Sequence, residues 1–148
     1  MAESRIHIYV QLVQDQDGYP PFEAEEIDAV ALGSDEFKVA SAPAFAYGLA
    51  PGDVVRTTQD ADGRLWAVEV VASSTEWVAR VIPRKGCDPA TVVELLERLG
   101  ATCAITRFGL VTLSVPGTVN SRPVLDALEA GQEVDGLWHF DLGVAPTS

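Results

Sequence analysis

Residues 88–106 read DPATVVELLERLGATCAIT, and this stretch decides the fold of the second half of the chain. Asp88 followed by Pro89 is typical of a helix start, because the Asp side chain caps free amides and Pro fits the first turn. Apolar residues then recur at helical spacing until Gly100, which suits the cap at the far end. The residues after Gly100 alternate as in a strand. The stretch therefore predicts a helix followed by a strand.

The same alternation of strands and helices continues on both sides of this stretch. Further strands are predicted at Trp77–Ile82, Phe108–Val115 and Leu137–Leu142. A second helix is predicted to start at Asn120 or Ser121 and to end before Gly131, a residue that often follows a helix. The order β-α-β-β-α-β is that of the ferredoxin-like arrangement, and we expect this fold for residues 73–148.

The first half of the chain has only short strands and turns. Strict alternation of apolar and polar residues from Ile6 to Leu12 predicts a half-buried strand. The apolar phase then slips near Glu25-Glu26, which predicts a β-bulge there. The clearest hairpin joins residues 53–59 to 64–71, and its inward side chains are expected to be Trp66, Val68 and Val70. Strands this short and close together favour a bent β-sheet or a small barrel.

These two halves give the chain an α+β architecture. We expect residues 1–72 to form an acidic all-β subdomain and residues 73–148 to form the ferredoxin-like subdomain. The two are expected to pack together as one compact unit. The seam between them is expected at the short polar run that begins with Ser73.

Charge and composition exclude several classes of function. The chain has 148 residues and a net charge of −12, so it repels nucleic-acid phosphates and anionic membrane surfaces. Two cysteines are too few for a disulfide framework, which favours a reducing compartment. The first residues resemble no secretory leader, and no uncharged stretch is long enough to span a bilayer. We therefore expect a cytoplasmic protein that binds neither nucleic acid nor membranes. Its oligomeric state is left open.

The sequence contains no convincing catalytic or metal-binding motif. Residues 15–18 and 60–63 share the pattern Asp-x-Asp-Gly, but both lack the later ligands of a calcium loop and are better explained as turns. His139 and Asp141 lie on one face of the last predicted strand, with no nucleophile motif beside them. Cys87 has no histidine nearby to activate it. We expect no catalytic residues, no metal and no cofactor.

The most unusual feature is an acidic stretch that contains no Lys or Arg from Ile6 to Phe37. Crowded carboxylates repel one another unless a cation or a basic partner lies near them. A solvated, aggregation-resistant surface explains the stretch, and an electrostatic docking face for a basic protein explains it as well. The candidate partner-binding residues are Asp15, Asp17, Glu23, Glu25, Glu26 and Asp28.

Several short motifs resemble the DUF4265 family of small, uncharacterised bacterial proteins. The likeness begins at residues 18–25, GYPPFEAE, and continues through residues 48–55, GLAPGDVV, and residues 62–66, DGRLW. The chain departs from the family at Ala44, where the family has an aromatic residue, and at residues 73–75, where the family has a glycine-containing turn. The resemblance implies no reaction and no catalytic residues. By analogy, small stand-alone families of this kind include immunity proteins that neutralise toxins.

Three hypotheses follow for the function. The first is a non-enzymatic, acidic protein-binding module, most concretely an immunity-type antagonist of a basic, nuclease-like toxin. The second is a sensor that binds a small molecule at the seam between the two halves, near Trp66, Trp77 and His139. The third is an enzyme that uses His139 and Asp141, and it has the least support.

Overall fold

The computed structural model describes residues 5–146, which contain nine strands and two helices. Contacts within the chain divide it into two compact units, with the boundary between Ser74 and Thr75. We call them the barrel unit and the sheet unit. Together they make a mixed α+β protein, as the sequence predicts, and most of its regular structure is β. Neither helix in the described residues has the length and apolar character needed to cross a membrane.

The barrel unit is a closed barrel of five strands in the order β1-β2-β3-β4-β5. Each strand pairs with the next in antiparallel fashion, and β1 closes the barrel on β5 through a parallel pairing of Tyr9 with Trp66. The strands are β1 (Arg5–Gln11), β2 (Ala24–Ala31), β3 (Glu36–Val39), β4 (Val54–Gln59) and β5 (Leu65–Ala72). The barrel is one of the two forms that the sequence left open for this half.

Period-two alternation builds the interior of the barrel. On β1, Ile8 is fully buried while its neighbours His7 and Tyr9 face outward. The buried core consists of Ile8, Ile27, Ala29, Phe37, Val39, Leu49 and Val55. Leu49 comes from the loop between β3 and β4, so this loop forms part of the core.

The predicted bulge near Glu25-Glu26 is wrong. The pairing of β1 with β2 is regular throughout, with Val10 opposite Glu25 and Tyr9 opposite Glu26. The apolar phase slips because Glu25 takes an inward position, where its carboxylate accepts hydrogen bonds from loop amides. The irregular pairing lies between β4 and β5 instead, beside Val55 and beside Thr57.

The inward side of β5 also differs from the prediction. Trp66 is only partly buried, and Val68 and Val70 are 47% and 41% exposed. Leu65 and Ala67 pack against the core instead. The Trp66 ring lies against the ring of Tyr9, with centroids 5.4 Å apart, and therefore belongs to the outer face.

The sheet unit is a four-stranded antiparallel sheet in the order β7-β8-β6-β9. One helix connects β6 to β7, and the other connects β8 to β9. The elements are β6 (Trp77–Pro83), α1 (Pro89–Arg98), β7 (Thr102–Ile105), β8 (Val111–Val115), α2 (Ser121–Glu133) and β9 (Trp138–Val144). The order of elements along the chain is the predicted β-α-β-β-α-β.

Both helices start where the sequence predicts. The Asp88 side chain accepts a hydrogen bond from the amide of Ala90 at 2.9 Å, and the Asn120 side chain accepts one from the amide of Arg122 at 3.1 Å. At the end of α1, Gly100 has a φ of +102°, a conformation that side chains disfavour. Local capping chemistry therefore fixes these boundaries.

Apolar residues of both helices and the sheet form one core. Its buried members are Trp77, Ala79, Val81, Val92, Leu96, Ala101, Val111, Leu113, Val115, Val124, Leu128 and Trp138. The expected end of α2 before Gly131 is wrong, because α2 continues through Gly131 to Glu133. Gly131 is needed inside the helix, since the Trp138 ring packs directly against its α-carbon.

Candidate partner-binding surface

Two of the six candidate acids lie on the outer face of β2. Glu26 and Asp28 point outward and lie across from Tyr9 and His7 of β1. The Tyr9 hydroxyl donates to Glu26 at 2.9 Å, and His7 Nε2 lies 3.0 Å from an oxygen of Asp28. Glu26 and Asp28 remain 52% and 40% exposed. We call Glu26 and Asp28, with His7 and Tyr9, the acidic face.

The hydrogen bond to Glu26 affects the ionisation of Tyr9. It raises the pKa of the Tyr9 hydroxyl above its ordinary value, with smaller contributions from burial and from the negative charge of Glu26. Tyr9 therefore remains a donor at neutral pH. The Glu26 carboxylate accepts this bond while it stays exposed on the acidic face.

Three further candidate acids lie in or beside the loop between β1 and β2. Asp15 accepts hydrogen bonds from the amides of Asp17 and Tyr19, each at 2.9 Å, and so holds the turn together. Asp17 and Glu23 are exposed. The structure therefore gives Asp15 a role within the loop and leaves Asp17 and Glu23 accessible to solvent.

Glu25 differs from the other candidates because its carboxylate is used inside the barrel unit. It accepts hydrogen bonds from the amides of Ala44, Phe45 and Ala46 at 2.6, 2.9 and 2.8 Å. These three donors occupy both carboxylate oxygens. Glu25 thus holds the loop between β3 and β4 against the barrel and has little capacity left for a partner.

The two Asp-x-Asp-Gly segments form the same turn. Asp60 accepts from the amides two and four residues further on, both at 2.9 Å, as Asp15 does. Gly18 and Gly63 both have positive φ, +77° and +85°. The prediction that these segments are turns is confirmed. Within residues 5–146 no group of three acidic, His or Cys side chains is placed to hold a metal ion.

The Asp60 turn borders the acidic face, and the sequence pattern does not indicate that the two lie side by side. Asp60 also accepts a hydrogen bond from Trp66 Nε1 at 2.8 Å, and the Arg64 guanidinium lies 5.7 Å from the centre of the Tyr9 ring. The bond from Trp66, followed by that from the Arg64 amide, lowers the pKa of Asp60 below its ordinary value. The outward position of Trp66, which the alternation of β5 did not reveal, is therefore fixed by a side chain of the turn.

The Asp60→Asn variant is expected to be less stable than the wild type at neutral pH and as stable as the wild type in acid. A carboxyl group with a lowered folded-state pKa stabilises the fold above its unfolded pKa of about 3.9. That stabilisation is lost as pH falls through the lower, folded-state value. The measurement is the thermal midpoint of the wild type and the variant from pH 7 to about pH 2.

Asp62→Asn is the matched control, since the Asp62 carboxylate lies in the same turn and is 75% exposed. We expect this control to follow the wild type across the pH range. If the thermal midpoints of Asp60→Asn and the wild type differ by the same amount down to the lowest pH, the ionised Asp60 carboxylate does not stabilise the fold.

His139 and Asp141 of the least supported hypothesis each lie near an arginine of the sheet unit. An Arg84 nitrogen lies 3.0 Å from His139 Nε2, and Arg80 lies 4.0 Å from Asp141. The two side chains are on one strand, as predicted, and the contact of His139 Nε2 is with Arg84.

Neither cysteine has the features of a reactive thiol. Burial, assisted by the charge of Asp88, raises the pKa of Cys87. Burial, assisted by the charge of Glu97, raises the pKa of Cys103 to about 12. Trp77, named for the sensor hypothesis, is 3% exposed and packs in the core of the sheet unit.

The fold and the acidic face define a small α+β protein that joins a five-stranded barrel unit to a four-stranded sheet unit. The model of the DUF4265 family, described as a domain of unknown function, matches residues 25–140. The chain belongs to this family, as its short motifs indicated.

One solved structure gives an independent comparison of the fold. It is described as "Novel crystal structure of a hypothetical protein from Neisseria gonorrhoeae" and superposes with a TM-score of 0.76. The two sequences are 15% identical, and the match covers 100% of this chain and 99% of the other. At this identity the likeness shows the fold alone. No curated protein matches the sequence significantly.

Proposed function

We propose that this protein is a non-enzymatic binding protein whose acidic face docks a basic protein. The observation that carries the proposal is the outward display of Glu26 and Asp28 on paired strands, in a stretch without Lys or Arg from Ile6 to Phe37. Carboxylates fixed on a rigid sheet attract a basic surface without having to be ordered first. Asp17 and Glu23 extend the negative potential into the neighbouring loop.

The most concrete form of the proposal is an immunity-type antagonist of a basic, nuclease-like toxin. A nuclease binds phosphates through a basic cleft, and exposed carboxylates can occupy that cleft in place of the phosphates. The net charge of −12 suits such a partner and speeds the encounter at low salt. The family carries no described function, so the proposal rests on the charge and its placement.

Two further assignments accompany this proposal. We assign the sheet unit to the ferredoxin-like class, which the element order β-α-β-β-α-β and the sheet order β7-β8-β6-β9 support. We also place the protein in the cytoplasm, a location that its two free cysteines favour.

The test compares two variants that each remove three exposed carboxylates. The first carries Glu23→Gln, Glu26→Gln and Asp28→Asn in the barrel unit, and it leaves Glu25 unchanged. The control carries Glu94→Gln, Glu133→Gln and Asp135→Asn in the sheet unit, where all three side chains are also exposed. Both variants lose the same charge from the same residue types, and they differ in location and in the contacts of Glu26 and Asp28 with Tyr9 and His7.

The measurement is affinity capture from the lysate of the host at low and moderate salt, followed by association kinetics with the purified captured protein. We expect a basic protein on the wild type and the control, released as salt rises, and an association rate about tenfold lower for the barrel-unit variant. Equal rates for the two variants at low salt would show that the acidic face is not the docking site.

A further inference from the structure

An unusual apolar patch lies on β5 of the barrel unit. Val68 and Val70 are 47% and 41% exposed, although valine is normally buried in a strand. Tyr47, from the loop between β3 and β4, is 65% exposed. Clustered apolar groups at the surface mark interaction sites more often than isolated ones do.

Two cavities of about 180 Å³ each adjoin this patch within the barrel unit. Both are lined by Val10 and Tyr47, so the two cavities are neighbours, and together we call them the cleft. The first part is also lined by Gln11, Leu12, Val13, Pro20, Phe45 and Ala46. The second is also lined by Gly48, Leu49, Val55, Ala67, Val68, Glu69 and Val70. The cleft therefore runs from the end of β1 to the second half of β5.

The backbone beside this cleft has an edge that the barrel does not pair. Among the described residues, β1 and β5 pair at one position, Tyr9 with Trp66. Beyond this pair the ladder of β5 is with β4 alone. Within residues 5–146, the other edge of β5 beyond Trp66 therefore has no partner strand, and a strand edge of this kind can accept another strand.

The charges around the cleft indicate the kind of strand that fits. None of its lining residues is Lys or Arg, and its one charged side chain, Glu69, is held by Arg56 at 2.7 Å. Residues 1–72 contain 13 acidic and 4 basic residues, a net charge of −9. A second copy of this chain is opposed by that charge, whereas a segment with both aliphatic and basic residues is attracted.

We propose that the cleft between β1 and β5 binds an extended segment of a basic partner protein, which adds a strand along the edge of β5. Aliphatic side chains of the segment fill the two cavities, and its basic side chains face the acidic surroundings. This inference rests on the proposed function, because it assumes a basic protein partner. It adds the part of the partner that is recognised and the surface that recognises it.

The probe is a short blocked peptide in which valine alternates with lysine. It is compared with a peptide that has glutamate in place of lysine, and with the lysine peptide N-methylated at alternate residues. Affinity is measured by fluorescence anisotropy, and the location is measured by amide chemical shifts of the isotope-labelled full chain. We expect chemical-shift changes at Val68–Val71 on addition of the lysine peptide. The glutamate peptide is expected to bind about tenfold more weakly. The N-methylated peptide is expected not to bind, because its methylated amides cannot pair with β5.

The matched protein variants replace exposed aliphatic residues by threonine, which retains the β-branched shape. Val68→Thr with Val70→Thr changes the cleft, while Ile82→Thr with Ile105→Thr changes two residues of the sheet unit that are 50% exposed. We expect the cleft variant to bind the lysine peptide about tenfold more weakly and the control to bind it as the wild type does. Equal binding by both variants, equal binding of the N-methylated peptide, or no binding of any peptide would overturn the inference.

These outcomes separate the cleft from the acidic face. Peptide binding at β5 with unchanged kinetics of the Glu23, Glu26 and Asp28 variant would retain the cleft and reject the acidic face. If no peptide binds, but the Glu23, Glu26 and Asp28 variant associates with the captured protein more slowly than its control, the cleft is rejected and the acidic face is retained.

Discussion

The Gly131→Ala variant is expected to lose about 3 kcal/mol of unfolding free energy. A β-carbon at position 131 would lie 2.0 and 2.2 Å from two carbons of the Trp138 ring, far inside contact distance. The ring is 2% exposed, and its Nε1 donates to the carbonyl of Leu128 at 3.1 Å, so it has no space in which to move. Displacing it removes the largest fully buried side chain of the sheet unit.

Helix propensity predicts the opposite sign, which makes this substitution decisive. In an exposed helix, Gly→Ala gains about 1 kcal/mol, because glycine loses the most backbone freedom on folding. Urea unfolding of Gly131→Ala, with Glu133→Ala at an exposed position of the same helix as the control, measures which effect dominates. The control is expected to stay within about 0.5 kcal/mol of the wild type. A Gly131→Ala protein as stable as the wild type would refute the packing argument.

A double-mutant cycle identifies Trp138 as the cause. In a Trp138→Leu background the smaller side chain leaves room for the new methyl group, so adding Gly131→Ala is expected to cost at least about 1 kcal/mol less than in the wild type. The same cost in both backgrounds would mean that the alanine is excluded by something other than the Trp138 ring.

The sheet unit was predictable because its signals are local. The side chains of Asp88 and Asn120 each cap a helix by accepting a hydrogen bond from the amide two residues further along the chain. The apolar stripe that contains Val92 and Leu96 follows helical spacing. The end of α2 was not predictable in this way. Gly131 has the pattern of a helix terminator, but it lies inside the helix because Trp138 of the next strand packs on it, a tertiary contact that residue spacing does not reveal.

The barrel unit was less predictable because two of its polar contacts are hidden from the alternation pattern. Glu25 occupies an inward position through amides that lie about twenty residues further along the chain. Trp66 faces outward because Asp60 accepts its indole N–H. A pattern based on apolar and polar classes assigns a carboxylate outward and a large aromatic residue inward, so it places both side chains on the wrong face.

The structure separates the candidate acids that bond within the chain from those that remain exposed, a distinction that the sequence does not make. An acidic stretch carries no information about which carboxylates bond within the chain. In the structure, Asp15 and Glu25 bond to backbone amides, while Glu26 and Asp28 remain exposed beside side chains of β1. The high acidity of this half is therefore partly structural, and only some of its carboxylates are available to a partner.

The Glu25→Ala variant is expected to lose about 2–4 kcal/mol of unfolding free energy, because three backbone donors lose a charged acceptor. Glu23→Ala is the control, since it removes the same charge two residues away from an exposed position. We expect the control to remain within about 0.5 kcal/mol of the wild type. Urea unfolding measures both variants, and equal stabilities would show that the three bonds to Glu25 contribute nothing in solution.

The loss in Glu25→Ala is also expected to appear locally, before the barrel unfolds. The amides of Ala44, Phe45 and Ala46 should exchange with solvent faster, because the carboxylate that holds them is gone. Phe45 and Tyr47 on the same loop line the cleft at β1 and β5, so peptide binding should weaken although no cleft side chain has changed. Unchanged exchange at these three amides would mean that the loop is held by its core residue Leu49 and not by Glu25. Under the two proposals, Glu25 acts on binding through the loop it positions, whereas Glu26, the next residue in the chain, acts through the carboxylate it exposes.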